Sequence, residues 1–154
     1  SHIGIIPTAS YGPNDCYDEN KNHVIPALIK KIHNAKMKKQ KSITLWGTGK
    51  AKREFIHVDD MASGIIHILE NYRENSPINL GTGEEVTIAK LSKTISKIIG
   101  YTGNINFDEK KPDGIKRNIL SNKKLEKLKW KSRISLEKGL ELAYLDYQNY
   151  LKQS

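Results

Sequence analysis

LWGTGKAKREFIHVDDMA, residues 45–62, joins a glycine turn, a short strand and the start of a helix without a break. Gly47 and Gly49 tolerate backbone angles that other residues avoid, so the main chain can pass close to a ligand there. Phe55, Ile56 and Val58 stand among charged and polar neighbours as in a short strand, and Asp59 is a good N-cap for a helix starting at Asp60. Trp46 offers a flat ring for stacking and Arg53 a planar fork for phosphate oxygens, two devices that hold a nucleotide diphosphate. The alternative makes Trp46 a core aromatic and Arg53 a solvated charge, and spacing alone does not choose between them.

Upstream, Ile3 to Ile6 is almost wholly apolar, the pattern of a buried strand in a parallel sheet. PTASYGPND, residues 7–15, then reads as turn chemistry. Ligands of open α/β folds sit at the carboxyl ends of parallel strands, so Thr8, Ser10 and Tyr11 either face a cofactor or satisfy the turn's own backbone. Ile25, Leu28, Ile29 and Ile32 keep helical spacing, with Pro26 suited to the first turn. His23 lies just before that helix, at its positively polarised end, where it is either a neutral proton shuttle or a cap or surface residue.

Downstream, Met61, Ile65, Ile66, Ile68, Leu69 and Tyr72 predict a helix with a broad apolar face buried on a sheet. PINLGTG, residues 77–83, predicts a strand running into a second glycine turn. Thr87 caps a helix that Gly100 stops. NINFD, residues 104–108, predicts a further strand, which opens into the loop KKPDGIKR. There Asp113 either meets sugar hydroxyls or a base edge, or serves its own turn, the latter being favoured by the residues alone. A short helix over Ser121 to Lys129 and a final one capped by Ser135 complete an α/β chain, with Tyr144 and Tyr147 as packing residues.

With 154 residues, 37% hydrophobic and 28% charged, the chain fits one domain with a real core. The net charge of +9 favours anionic ligands, but only Arg53, Arg73, Arg117 and Arg133 among the 26 basic residues are arginines. No aromatic-basic interleaving points to nucleic acid, and no apolar run reaches membrane-spanning length. Cys16 is the one cysteine, no His/Cys set has metal-ligand spacing, and a cytoplasmic protein without an internal disulfide is expected.

Read in series, PTASYGPND, HVIPALIKK, LWGTGKAKREFIHVDDMA, INLGTGEEVTI and FDEKKPDGIKR resemble the C-terminal half of the GDP-L-fucose synthase family of extended short-chain dehydrogenases/reductases. The likeness covers nearly the whole chain in order. It implies the substrate-binding portion of a Rossmann-type NAD(P)-binding fold, residues 1–154, with strand 3–6 belonging to the parallel sheet of a cofactor-binding half that the chain lacks. The implied reaction converts GDP-4-keto-6-deoxy-D-mannose to GDP-L-fucose by epimerisation at C3 and C5 and NADPH-dependent reduction at C4. The resemblance makes His23 an acid/base for epimerisation. It makes Lys31, Trp46, Arg53 and Asp113 substrate contacts, and Pro7, Thr8, Ala9 and Ser10 part of the nicotinamide cofactor site. It also implies a homodimer for the intact enzyme.

Three departures accompany the likeness. The family's PTNLYGP is PTASYGP here, Lys31 replaces an Arg, and Ile115-Lys116 replaces Thr-Pro after KPDG. The chain carries neither the Gly-rich cofactor loop nor the catalytic Ser and helical Tyr-x-x-x-Lys, so by itself it is expected to be inactive. Two other readings stand beside this one: a portion of another NAD(P)-dependent nucleotide-sugar epimerase or dehydratase, and a recruited, non-catalytic binding domain.

Overall fold

The computed structural model describes residues 3–18 and 23–153. Its strands are β1 (Ile5–Pro7), β2 (Ala9–Tyr11), β3 (Ser42–Trp46), β4 (Lys52–His57), β5 (Ile78–Leu80), β6 (Glu85–Thr87), β7 (Asn104–Asp108) and β8 (Arg117–Asn118). Its helices are α1 (Val24–Met37), α2 (Val58–Asn71), α3 (Ile88–Ile99), α4 (Lys123–Lys127) and α5 (Leu136–Gln153). β1 pairs with β5, β3 with β7, and β2 with β4, all parallel. β4 also takes β6 antiparallel and β8 parallel.

β4 divides the interior, because successive side chains on a strand point to opposite faces. Phe55 enters a core built from α1, α3 and α5, with Ile29, Ile32, Leu91, Ile95, Leu140 and Tyr147 buried in it. Ile56 enters a second core with Ile68, Ile78, Leu80 and Leu125. Removing a fully buried aliphatic such as Ile32 costs about 2–5 kcal/mol, through lost transfer energy and the cavity left behind.

The helix ends follow local chemistry. Thr87 Oγ1 accepts the Lys90 amide at 3.1 Å, and Gly100 closes α3 at φ 73°. α2 begins slightly earlier than expected, at Val58, with His57 as its N-cap and His57 Nδ1 accepting the Asp59 amide at 3.3 Å. Asp60 is buried, and its carboxylate accepts the Arg133 and Ile134 amides, at 3.1 and 2.8 Å, fastening the entry of α5 to the start of α2.

Three expectations need correction. The first strand is Ile5–Pro7 rather than Ile3 to Ile6, and Ile6 is 47% exposed, since β1 has one neighbour, β5, among the described residues. The stretch read as turn chemistry contains β2, whose Ala9, Ser10 and Tyr11 pair with Phe55, Ile56 and His57; the long-range ladder overrides the local Gly and Pro signals. α2 buries a narrower stripe than its composition suggests: Ile68 is inside, but Ile66 is 58% exposed, because one layer covers one side of the helix. Among the described residues no helix is long and apolar enough to cross a membrane.

Candidate functional site

The β3–β7 ladder ends with Trp46 opposite Asp108, and both chains then turn away. The Gly47 amide makes one more bond to the Asp108 carbonyl, at 3.0 Å. Gly47 and Gly49 stand at φ 82° and 72°, the region glycine enters without steric cost. A Cβ at Gly47 would lie 2.2 Å from Asp113 Oδ1, and one at Gly49 would lie 2.6 Å from the Phe107 ring. The turn is thus pressed between two neighbours, and the glycines are required for space as well as for conformation.

Trp46 is not a core aromatic. It is 70% exposed, and Lys111 Nζ stands over its ring, 5.5 Å from the centroid. Lys31, on α1, donates to the Thr44 carbonyl at 2.6 Å. Lys31 and Trp46 line one groove of about 600 Å³ together with Ala27, Asn34, Lys38 and Gln40. A groove of that volume is in the range of small-molecule sites, and its charged rim is cationic.

Arg53 and Asp113 lie outside this groove's lining but are joined to its loop. Arg53 Nη1 donates to the Lys52 carbonyl at 2.8 Å and to the Ile115 carbonyl at 2.5 Å. Asp113 Oδ1 accepts the Thr48 amide and Oδ2 the Thr48 hydroxyl, both at 2.6 Å. These two bonds hold its carboxyl below the ordinary aspartate value, the hydroxyl contributing most. Asp113 therefore serves neither its own turn nor solvent; its partner is 65 residues away.

His23 is the exposed N-cap of α1, makes no side-chain cap bond, and accepts the Ala27 amide on its carbonyl at 3.0 Å. Its imidazole is therefore not committed to capping. Pro7 and Thr8 sit at the carboxyl end of β1. The Thr8 amide donates to Leu80 O and its hydroxyl to Glu54 O, each at 2.9 Å, so Thr8 bridges the β1–β5 pair to β4. Pro7, Ala9 and Ser10 are exposed beside it. Tyr11 is buried against Phe55 and His57, and burial holds its hydroxyl firmly protonated.

Sequence reading missed Thr48, Lys111 and Glu54. Thr48 was visible only as the middle of a glycine turn, and Lys111 as one of many lysines. Glu54, a charge inside an apolar strand, was the clearest overlooked signal: it is buried and accepts the Gly83 amide at 2.7 Å and the Leu120 amide at 3.0 Å. A second cleft, of about 410 Å³, lies between Tyr11, Phe55, Val86, Lys90, Arg133 and Leu136; of the residues considered above as facing a ligand, it is lined by Tyr11 alone. Among the described residues no group of three or more His, Cys, Asp or Glu is arranged to hold a metal ion.

Residues 1–81 match the NAD dependent epimerase/dehydratase family. A GDP-L-fucose synthase of Escherichia coli (strain K12) is 43% identical over 149 residues, covering 91% of this chain and 46% of that protein. One from Sinorhizobium fredii is 39% identical over 142 residues, covering 92% of this chain and 45% of that protein. The crystal structure of a GDP-L-fucose synthetase from Naegleria fowleri bound to NADP superposes with a TM-score of 0.89 at 27% identity, over 97% of this chain and 47% of that one. The chain thus spans under half the length of the curated relatives it matches.

Proposed function

Since this chain belongs to the NAD dependent epimerase/dehydratase family, we propose that it is the nucleotide-sugar-binding portion of an enzyme of the GDP-L-fucose synthase kind. The observation that carries this reading is the groove in which exposed Trp46 stands beside Lys31 with Lys111 over its ring. An aromatic face stacks a base, and the ammonium groups meet a diphosphate that carries negative charge. Arg53, bonded to the Ile115 carbonyl two residues from Asp113, supplies a planar fork for phosphate oxygens. The similarity to GDP-L-fucose synthases at 39–43% identity supports GDP as the nucleotide.

In this reading the substrate is GDP-4-keto-6-deoxy-D-mannose and the product GDP-L-fucose. Carbons C3 and C5 flank the C4 ketone, so each loses a proton to a base and regains one on the opposite face. His23, exposed and free of capping duty, carries one of these protons. The opposing carrier comes from a cofactor-binding half outside this chain. Residues 1–154 act as one substrate-binding unit, with β1 and β5 extending the parallel sheet of that half.

The cofactor of this reading is NADPH, and the residues present fit it. Pro7, at the carboxyl end of the parallel β1–β5 pair where such cofactors lie, is exposed, as are Ala9 and Ser10, which open β2 just beyond it. When bound, NADPH supplies the hydride that reduces the C4 ketone. Thr8 holds that segment in place through Leu80 and Glu54. Ala9 and Ser10 would offer the cofactor backbone groups and one hydroxyl. The complete protein is a cytoplasmic homodimer in this account.

Titration of the chain with GDP, UDP, CDP and ADP tests the nucleotide assignment. GDP binding tightest supports the reading. UDP binding tightest selects another nucleotide-sugar epimerase or dehydratase, and equal, strongly salt-dependent binding of all four selects a recruited basic domain.

A further inference from the structure

Resting on the reading of the Trp46 groove as a nucleotide-sugar site, we infer that Thr48 and Asp113 are a positioning pair. They latch the loop after β3 to the loop after β7, and so hold Lys111 over Trp46.

The sheet cannot do this alone. β3 and β7 part after Trp46 and Asp108, and their continuations are not paired again until β4 meets β8 at Lys52 and Arg117. Trp46 closes the ladder, two residues before Thr48, and Lys111 lies two residues before Asp113, inside the unladdered interval. Trp46 is largely exposed, so burial does not fix its ring. Past the Gly47 amide on the Asp108 carbonyl, the two loops are joined by the pair of 2.6 Å bonds between Thr48 and Asp113, backed by Arg53 on the Ile115 carbonyl and the Lys52 amide on the Lys116 carbonyl.

Both Asp113 oxygens have short partners within the protein, one an amide and one a hydroxyl, and bonds to an ionised acceptor are the stronger kind. The lowered carboxyl value agrees with that commitment. The closeness of Gly47 to Asp113 Oδ1 shows that the turn is shaped to admit the carboxylate. Asp113 thus acts on a ligand through the loops it joins. Preorganised loops spare the ligand the cost of ordering them.

The test uses Trp130→Phe as background, leaving Trp46 as the single tryptophan. Near-ultraviolet circular dichroism then reports the fixed surroundings of Trp46, melting temperature reports the fold, and titration reports GDP affinity. Thr48→Ser keeps the hydroxyl and is expected to preserve all three. Thr48→Val is expected to diminish the Trp46 signal and weaken GDP binding on the order of tenfold, with the melting temperature nearly unchanged. If Thr48→Val unfolds, the isosteric Asp113→Asn is expected to show the same losses. An unchanged Trp46 signal and unchanged GDP affinity in a folded Thr48→Val or Asp113→Asn variant overturns the latch. Failure of the Trp130→Phe parent to bind GDP, with the Trp46 signal still lost on Thr48→Val, counts against the nucleotide reading and leaves the latch standing.

Discussion

Gly81 and Glu54 are packed so closely that a Cβ on Gly81 would stand 2.2 Å from Glu54 Oε1. The absent side chain makes room for a buried carboxylate, 1% exposed, which ties the second glycine turn and the segment between β8 and α4 onto β4. Gly81→Ala is expected to destabilise the chain by about 1–3 kcal/mol through overpacking. Glu54→Ala leaves two amides without their acceptor and is expected to cost about 2–4 kcal/mol. Urea unfolding of both variants checks this; values near zero would show that the clamp is dispensable.

The Thr48–Asp113 pair makes a pH prediction. The folded carboxyl lies below its ordinary value of 3.8. It therefore contributes stability that is present above the unfolded value and is lost as pH falls through the lower folded one. Between about pH 5 and pH 3 the urea midpoint should fall more steeply for the parent than for Asp113→Asn. Parallel curves would mean that Asp113 titrates alike in both states.

His23 separates binding from chemistry. It caps α1 through its backbone carbonyl alone, and its side chain is exposed. His23→Asn is expected to change stability by less than about 0.5 kcal/mol and to leave GDP affinity unaltered. In the complete enzyme the same variant should slow exchange of the substrate's C3 or C5 proton with deuterated water by a factor of about 100 or more. Unchanged exchange would remove His23 from the proton-transfer role.

Helices were the legible part of this fold. The stripe of Ile25, Leu28, Ile29 and Ile32, the Thr87 cap and the Gly100 stop all appear where local periodicity and capping chemistry put them. The strands of Ile43–Leu45, Ile78–Leu80 and Asn104–Asp108 were legible as well. β2, β6 and β8 were not, because strands this short are defined by what they pair with, and β4 supplies that partner from far along the chain. At the candidate site, the chemistry of Trp46 and Arg53 singled them out in the sequence, and the structure places Trp46 in the groove and Arg53 outside its lining. For Asp113 the residues alone favoured its own turn and the resemblance a substrate contact; its bonds to Thr48 were not legible, since nothing local marks a contact 65 residues away. Lys111 was hidden by the abundance of lysine, and only its place over Trp46 distinguishes it.

The central claim, that Trp46 and the loops around it form a GDP-sugar site, is tested most directly by amide NMR titration of the chain with GDP, in parallel with Arg53→Ala. The account predicts saturable shifts at Lys31, Trp46, Thr48 and Lys111 in the parent, weakened at least about tenfold in the variant. Well-dispersed spectra that ignore GDP in the parent, or that respond identically in Arg53→Ala, would contradict it.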